Sequence, residues 1–185
     1  MSPGVGLGVF FALGWAVFYV FRPEGIRAAL PFYAPAERLW VQFAPAILTL
    51  HVTAACITIT RTTAISPLPG VLAVATFVMA IGFWFWGRTM IGPLRVRRLP
   101  QQPPLRFRCD GAFGIVRHPL YFGYLLAASA PLLVVCRVFL LVTLALSFSA
   151  LAVRAAQEER HLRAQVGPRY EAYCRDVKRL IPFVW

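Results

Sequence analysis

The chain has 185 residues, 59% of them hydrophobic, and a formal net charge of +12. Soluble domains run at roughly 45–50% apolar, so a mean hydropathy of +0.66 excludes an ordinary water-soluble domain. The positive charge points away from nucleic acid, because the basic residues stand beside apolar runs; anionic lipid headgroups are the nearer partner.

Three runs without Lys, Arg, Asp or Glu come first, at residues 4–21, 39–60 and 68–87. Each is close to the roughly 20 residues a helix needs to cross a bilayer. The leader MSPGVG has no basic residue, so the first run reads as a retained span and not as a signal peptide. His51 lies inside the second run. An ionisable group there is a functional candidate by default, but a neutral imidazole bonded to a neighbouring helix is the favoured reading. FWFW at 83–86 reads as an interfacial aromatic belt.

The linker 88–118 carries seven arginines together with Pro93, Pro100, Pro103 and Pro104, which argue against a long regular helix through its middle. Residues 120–153 are again apolar but are split by Pro131 and Arg137. One helix of that length would overshoot the bilayer, so spans 120–136 and 138–153 are expected as a tight helical hairpin. The tail continues the last span as RAAQEERHLRAQ, breaks at Gly167-Pro168 and resumes as a short helix. Arg154, Glu158 and His161 share one face of it.

The expected fold is therefore an all-α integral membrane protein with about five transmembrane helices and a C-terminal cytoplasmic helical tail. It forms a single membrane domain over 1–185, with three spans in 1–87 and the polar, chemistry-bearing region in 88–185. Seventeen of the nineteen Lys and Arg residues fall on one side of these five spans; only Arg61 and Arg137 fall on the other. That asymmetry puts the N-terminus outside and the C-terminus in the cytoplasm, in a bacterial inner membrane. The four cysteines are scattered without metal-ligand spacing, and neither a disulfide nor a metal site is assigned.

Arg117-His118-Pro119 stands at the mouth of the fourth span. Pro119 suits the first turn of a helix and His118 its cap. Taken alone, the tripeptide reads either as a plain helix start, with Arg117 reaching to headgroups, or as part of a binding site.

The ordered set Gly111-Ala112-Phe113, Arg117-His118-Pro119-x-Tyr121-x-Gly123, Arg154-x-x-x-Glu158-Glu159, Gly167-x-x-Tyr170-x-x-Tyr173 and Arg179-x-x-Pro182 resembles the integral-membrane methyltransferases related to isoprenylcysteine carboxyl methyltransferase. Phospholipid methyltransferase, NnrU-type and thiol S-methyltransferase branches belong to the same superfamily. The resemblance covers residues 105–182. It implies an S-adenosyl-L-methionine cofactor held by Leu105, Arg106, Phe107, Arg108, Phe113, His118, Pro119, Leu120, Tyr121 and Glu158, to which the cofactor's carboxylate adds Arg117 as a candidate cation. It further implies that Arg154 orients the acceptor and that Arg154 and Glu158 carry the catalytic role. Phe113 replaces a tyrosine often found at that place.

The chemistry suits such a cofactor, which brings a sulfonium, an ammonium, a carboxylate and an adenine. Glu158 offers an anion, Arg117 or His118 with helix-start amides a cationic end, and Phe107, Phe113 and Tyr121 aromatic faces. The expected activity is methyl transfer to a lipophilic, membrane-accessible acceptor, a carboxylate or thiol of isoprenylcysteine-like class. The alternatives are an NADPH-dependent membrane reductase of sterol-reductase type and a non-catalytic small-molecule-binding membrane protein.

Overall fold

The computed structural model describes residues 2–20, 35–91 and 108–185, with the side chains of 35–42 left out. Among these residues the chain is helical, without strands. Four helices are long and apolar enough to cross a bilayer: α1 (Pro3–Val20), α2 (Pro35–Thr60), α3 (Pro67–Ile91) and α6 (Val138–Val166). Between α3 and α6 lie a single turn, α4 (Ala112–Ile115), and the apolar α5 (Pro119–Ser129). A 3₁₀ segment, Ala130–Leu133, extends α5. The short α7 (Pro168–Asp176) follows α6. The protein is an integral membrane protein.

The expected hairpin forms, with different limbs. Pro131 ends α5 early and tightens its last turn into the 3₁₀ segment, so the fourth apolar limb is 119–133 and spans only about 24 Å at the usual rises. Arg137 then takes the extended N-cap position of α6. That helix runs 29 residues without a break, through the apolar stretch and on into the polar tail.

Contacts fix the helix directions. Gly4 of α1 lies against the carbonyls of Ile59 and Thr62 at the end of α2, where a Cβ would collide with them, and Gly8 abuts Cys56 and Thr60. Small residues four apart let α1 and α2 approach backbone to backbone, as membrane helices do when no water drives their association. Phe11 meets Phe77 edge-on at 4.9 Å and Phe18 meets Trp84 at 5.2 Å, so α1 runs parallel to α3. Trp84 and Gly87 pack against Gly123 and Pro119, so α5 runs antiparallel to α3. His51 of α2 is fully buried and joins both limbs of the hairpin, with Nδ1 2.7 Å from Thr143 Oγ1 and Nε2 3.0 Å from the Ala128 carbonyl. The favoured sequence reading of His51 thus matches its place: a bonded core histidine. α5 packs most heavily on α3 and α6 on α2.

Gly167 ends the long helix. At φ +69° it adopts a left-handed conformation that favours glycine, and its N–H closes on the Arg163 carbonyl at 2.9 Å. Pro168 then starts α7. The chain returns to the hairpin mouth, where the amides of Arg117 and His118 donate to the carbonyls of Lys178 and Arg179 at 2.8 and 3.2 Å. This short ladder fastens the tail to the Arg117-His118-Pro119 turn.

Candidate functional site

Pro119 occupies the first turn of α5 with His118 as its N-cap. Its ring and the side chain of Leu120 press on Gly87 of α3, where a Cβ would stand 3.0 Å from Pro119. That contact sets the position of α5 and aims His118 and Tyr121 at the polar end of α6. The two rings lie parallel, centroids 5.3 Å apart.

Four of the expected residues come together. His118 Nδ1 lies 3.5 Å from Glu158 Oε2. The Tyr121 hydroxyl donates to Glu158 Oε1. Arg154 Nε lies 3.4 Å from the same oxygen, one helical turn back, with its guanidinium 5.2 Å above the Tyr121 ring. Arg154 is buried, whereas the Glu158 side chain keeps 29% of its surface exposed. Glu158 is thus a carboxylate with three donors behind it and an open edge.

Its neighbour is built differently. Glu159 is 1% exposed and accepts from Arg117 Nε at 2.8 Å and from the Arg179 guanidinium at 3.0 and 2.9 Å. Arg163 stands 3.6 Å away, and His118 Nε2 lies 3.4 Å from Oε1 without the alignment of a hydrogen bond. Arg117 also donates to the carbonyls of Cys174 and Val177 at 2.8 and 2.7 Å, which satisfies the C-terminal end of α7. The structure therefore places Arg117 as a tie between α6 and α7, beside the cluster of His118, Tyr121, Arg154 and Glu158.

Burial alone would lower the pKa of His118, but its contact with Glu158 and the charges of Glu158 and Glu159 outweigh it and raise the imidazole above its ordinary value. His118 is thereby favoured as a cation between two carboxylates. Burial pushes the Tyr170 and Tyr173 phenols well above their usual range. Both pack beneath the tail, and the neutral Tyr173 hydroxyl donates to the Phe113 carbonyl at 2.6 Å. Phe113 on α4 is held by that bond. Arg108 sits apart and exposed, in a two-pronged pair with Asp110 at 3.0 and 2.9 Å. Leu105, Arg106 and Phe107 lie outside the described residues.

Sequence reasoning selected Glu158 and passed over Glu159 and Arg179 as site-forming groups. The signal was present in part: adjacent glutamates on a helix point about 100° apart, so the two meet different surroundings, and a buried carboxylate needs cations of its own.

The chain resembles two curated proteins described as methanethiol S-methyltransferase. It is 39% identical to the one from Crocosphaera subtropica over 82 residues, 44% of this chain and 31% of that protein. It is 29% identical to the one from a Pseudomonas species over 113 residues, 61% of this chain and 42% of that protein. The chain thus spans well under half the length of these relatives. No solved structure matches. The family model of isoprenylcysteine carboxyl methyltransferase (ICMT) matches residues 72–164, a stretch that contains His118, Tyr121, Arg154, Glu158 and Glu159. With half of its length matched, including the end of α6 where these side chains meet, the chain belongs to the ICMT family.

Proposed function

We propose that this protein is an S-adenosyl-L-methionine-dependent methyltransferase acting on a lipophilic, membrane-accessible acceptor, a carboxylate or thiol of isoprenylcysteine-like class. One observation carries the reading: His118 and Glu158 meet within 3.5 Å at a half-open edge of the bundle. The named activity of the two relatives supports the thiol form of the acceptor.

The side chains fit the cofactor. Glu158 matches the ammonium group, because its carboxylate is fixed from behind by Tyr121, Arg154 and His118 and accessible in front. At the start of α5 Pro119 has no N–H and the Tyr121 amide bonds the His118 carbonyl, which leaves the Leu120 amide for a carboxylate. The ring faces of Tyr121 and His118 suit a flat or cationic group. The bound cofactor supplies its methyl group from a sulfonium, a good leaving group. What remains for the protein is alignment and exclusion of water. In this reading Arg154 holds the acceptor's anion beside Glu158, and Arg117 and Arg179 act through Glu159 to keep His118 in place. Leu105, Arg106, Phe107, Arg108 and Phe113 complete the cofactor's enclosure, so that residues 88–185 form the cofactor region. Pro119 and Leu120 position it through Gly87. The cofactor enters from the cytoplasm and the acceptor from the bilayer, with the N-terminus outside and the protein in a bacterial inner membrane.

Calorimetric titration of the purified protein in detergent tests this. Heat is expected on adding S-adenosylhomocysteine and none with NADPH. Heat with NADPH alone would establish the reductase reading instead, and silence with both would leave a non-catalytic membrane protein.

A further inference from the structure

The polar tail carries a feature that the site does not use. After Arg179 the chain closes into a tight loop, 180–185, that is apolar at every position: Leu180, Ile181, Pro182, Phe183, Val184 and Trp185. Phe183 is 87% and Val184 73% exposed. Phe183 holds φ +64°, a left-handed conformation that is costly for a bulky residue. In water this would be a poor design, with strained backbone spent on presenting large apolar side chains to solvent.

Two observations point to a different environment. The Trp185 ring packs, tilted by 41°, on Phe148 of α6 with centroids 5.5 Å apart. Phe148 lies inside the apolar part of that helix, whose lipid-facing side chains Leu141, Val142, Leu146 and Val153 are all exposed. The polar tail begins after Val153, so Phe148 stands roughly 7 Å within the apolar belt at the 1.5 Å rise of a helix. The loop therefore folds back along α6 below the polar end of the bundle. Leu180 and Ile181 complete the wall of an apolar groove of about 540 Å³ between Phe122 and Leu126 of α5 and Leu144 and Phe148 of α6. The loop's backbone is bonded within itself only in part. The N–H groups of Leu180 and Ile181 donate to the Trp185 oxygen at 2.9 and 2.7 Å, and those of Val184 and Trp185 to the Ile181 carbonyl at 3.2 and 3.1 Å. Pro182 has no N–H. The Phe183 N–H and the carbonyls of Leu180, Pro182, Phe183 and Val184 have no such bond, so the backbone suits the hydrated headgroup level and only the side chains suit the acyl chains. Arg179, with its guanidinium 5.1 Å over the Trp185 ring, marks the border, in the way cationic and aromatic side chains pair at membrane interfaces.

We infer that residues 180–185 are an interfacial membrane anchor, a loop whose backbone lies at headgroup level and whose apolar side chains insert into the leaflet next to the polar end of the bundle. The tail that carries Arg179 is then held from two sides, by Glu159 and by the lipid. This inference does not depend on the reaction catalysed.

The test uses the full chain in mixed phosphatidylcholine and phosphatidylglycerol vesicles. Nitroxide labels are placed one at a time by Val184→Cys, Leu146→Cys and Glu171→Cys, in a background with Cys56, Cys109, Cys136 and Cys174 replaced. Collision with oxygen, which concentrates in lipid, is compared with collision with a water-soluble nickel chelate. The ratio at 184 is expected to exceed severalfold that at 171, on the exposed face of α7, and to approach that at 146, on the lipid face of α6. A ratio at 184 equal to that at 171 would overturn the anchor. So would low collision with both reagents, which would mean cover by a second copy or another protein. The unlabelled protein gives an independent readout. Lipids brominated along the acyl chain should quench its tryptophan emission more than that of Trp185→Phe, and equal quenching would also overturn the anchor.

Discussion

Glu158 and Glu159 are the same residue type, adjacent on one helix, and they differ in exposure and in the cations that hold them. Glu159 is sealed and meets arginines from three places in the chain: 117 before α5, 163 one turn on, and 179 after α7. Glu158 keeps an open edge and is held by a mixed set, Arg154 on its own helix and His118 and Tyr121 at the start of α5. A carboxylate taken out of water needs permanent cations to stay ionised, and Glu159 spends its charge on holding the tail. Glu158 can offer its charge outward because Glu159 has fixed the frame around it. His118 touches both, so the scaffold and the candidate site share one residue.

Breaking the sealed half should do the most damage. Glu159→Gln sets Arg117, which is 9% exposed, and Arg179 against a neutral amide. Removing one member of a buried ion cluster costs about 3–5 kcal/mol. Thermal unfolding in detergent should show a large drop, with the 168–185 segment becoming the first site of proteolysis. A change no greater than that of a surface substitution would mean that the arginines hold the tail without the glutamate.

The open half should separate binding from folding. Glu158→Gln removes a charged hydrogen-bond acceptor where the ligand's ammonium is proposed to sit. S-adenosylhomocysteine should bind about 1–3 kcal/mol more weakly, while unfolding moves far less than for Glu159→Gln. Unchanged affinity would take Glu158 out of the site. Equal losses of stability in the two variants would erase the distinction between the halves.

The shared histidine gives the comparison a pH dependence. The folded state raises the pKa of His118, so it binds this proton more tightly than the unfolded chain does. The stabilisation is complete below the unfolded value of about 6.5 and is lost as pH rises through the higher folded value. The groups facing the imidazole are Glu158, Glu159 and Tyr121, and both carboxylates are ionised across this window. Unfolding temperature should therefore fall with rising pH more steeply in the wild type than in His118→Gln. Parallel curves would show that His118 is neutral in the fold.

How much of this could be read beforehand follows from the range of the interactions. The spans were legible because each is a local run without charge, and the break near Pro131 and Arg137 was legible because a missing N–H and a charge are local too. The His118–Glu158 meeting was legible only through the resemblance, since nothing in the spacing of two distant segments fixes their contact. The roles of Glu159, Arg117 and Arg179 rest on the tail returning to bond the amides of Arg117 and His118. That path leaves no periodic trace in the sequence. Arg117 illustrates the cost. As an isolated cation beside a helix start it suited an anionic ligand, but in the fold its Nε and Nη1 hydrogens go to Glu159 and two carbonyls.

Arg108 provides the finest division between the halves, and the smallest expected effect. The resemblance assigns it to the cofactor. In the structure its hydrogen bonds with Asp110 lower the carboxyl's pKa and raise its own, but both side chains are exposed to solvent. Exposed pairs are screened and contribute little to folding. Arg108→Ala should therefore leave the unfolding temperature where it was, in contrast with any change at Arg117 or Arg179. Its affinity for S-adenosylhomocysteine should fall, by less than in Glu158→Gln, because a solvated arginine at the rim loses less than a carboxylate fixed by three donors. A fall as large as that of Glu158→Gln would shift the centre of the site toward residues 105–108, and a loss of stability would place Arg108 in the frame that Glu159 holds.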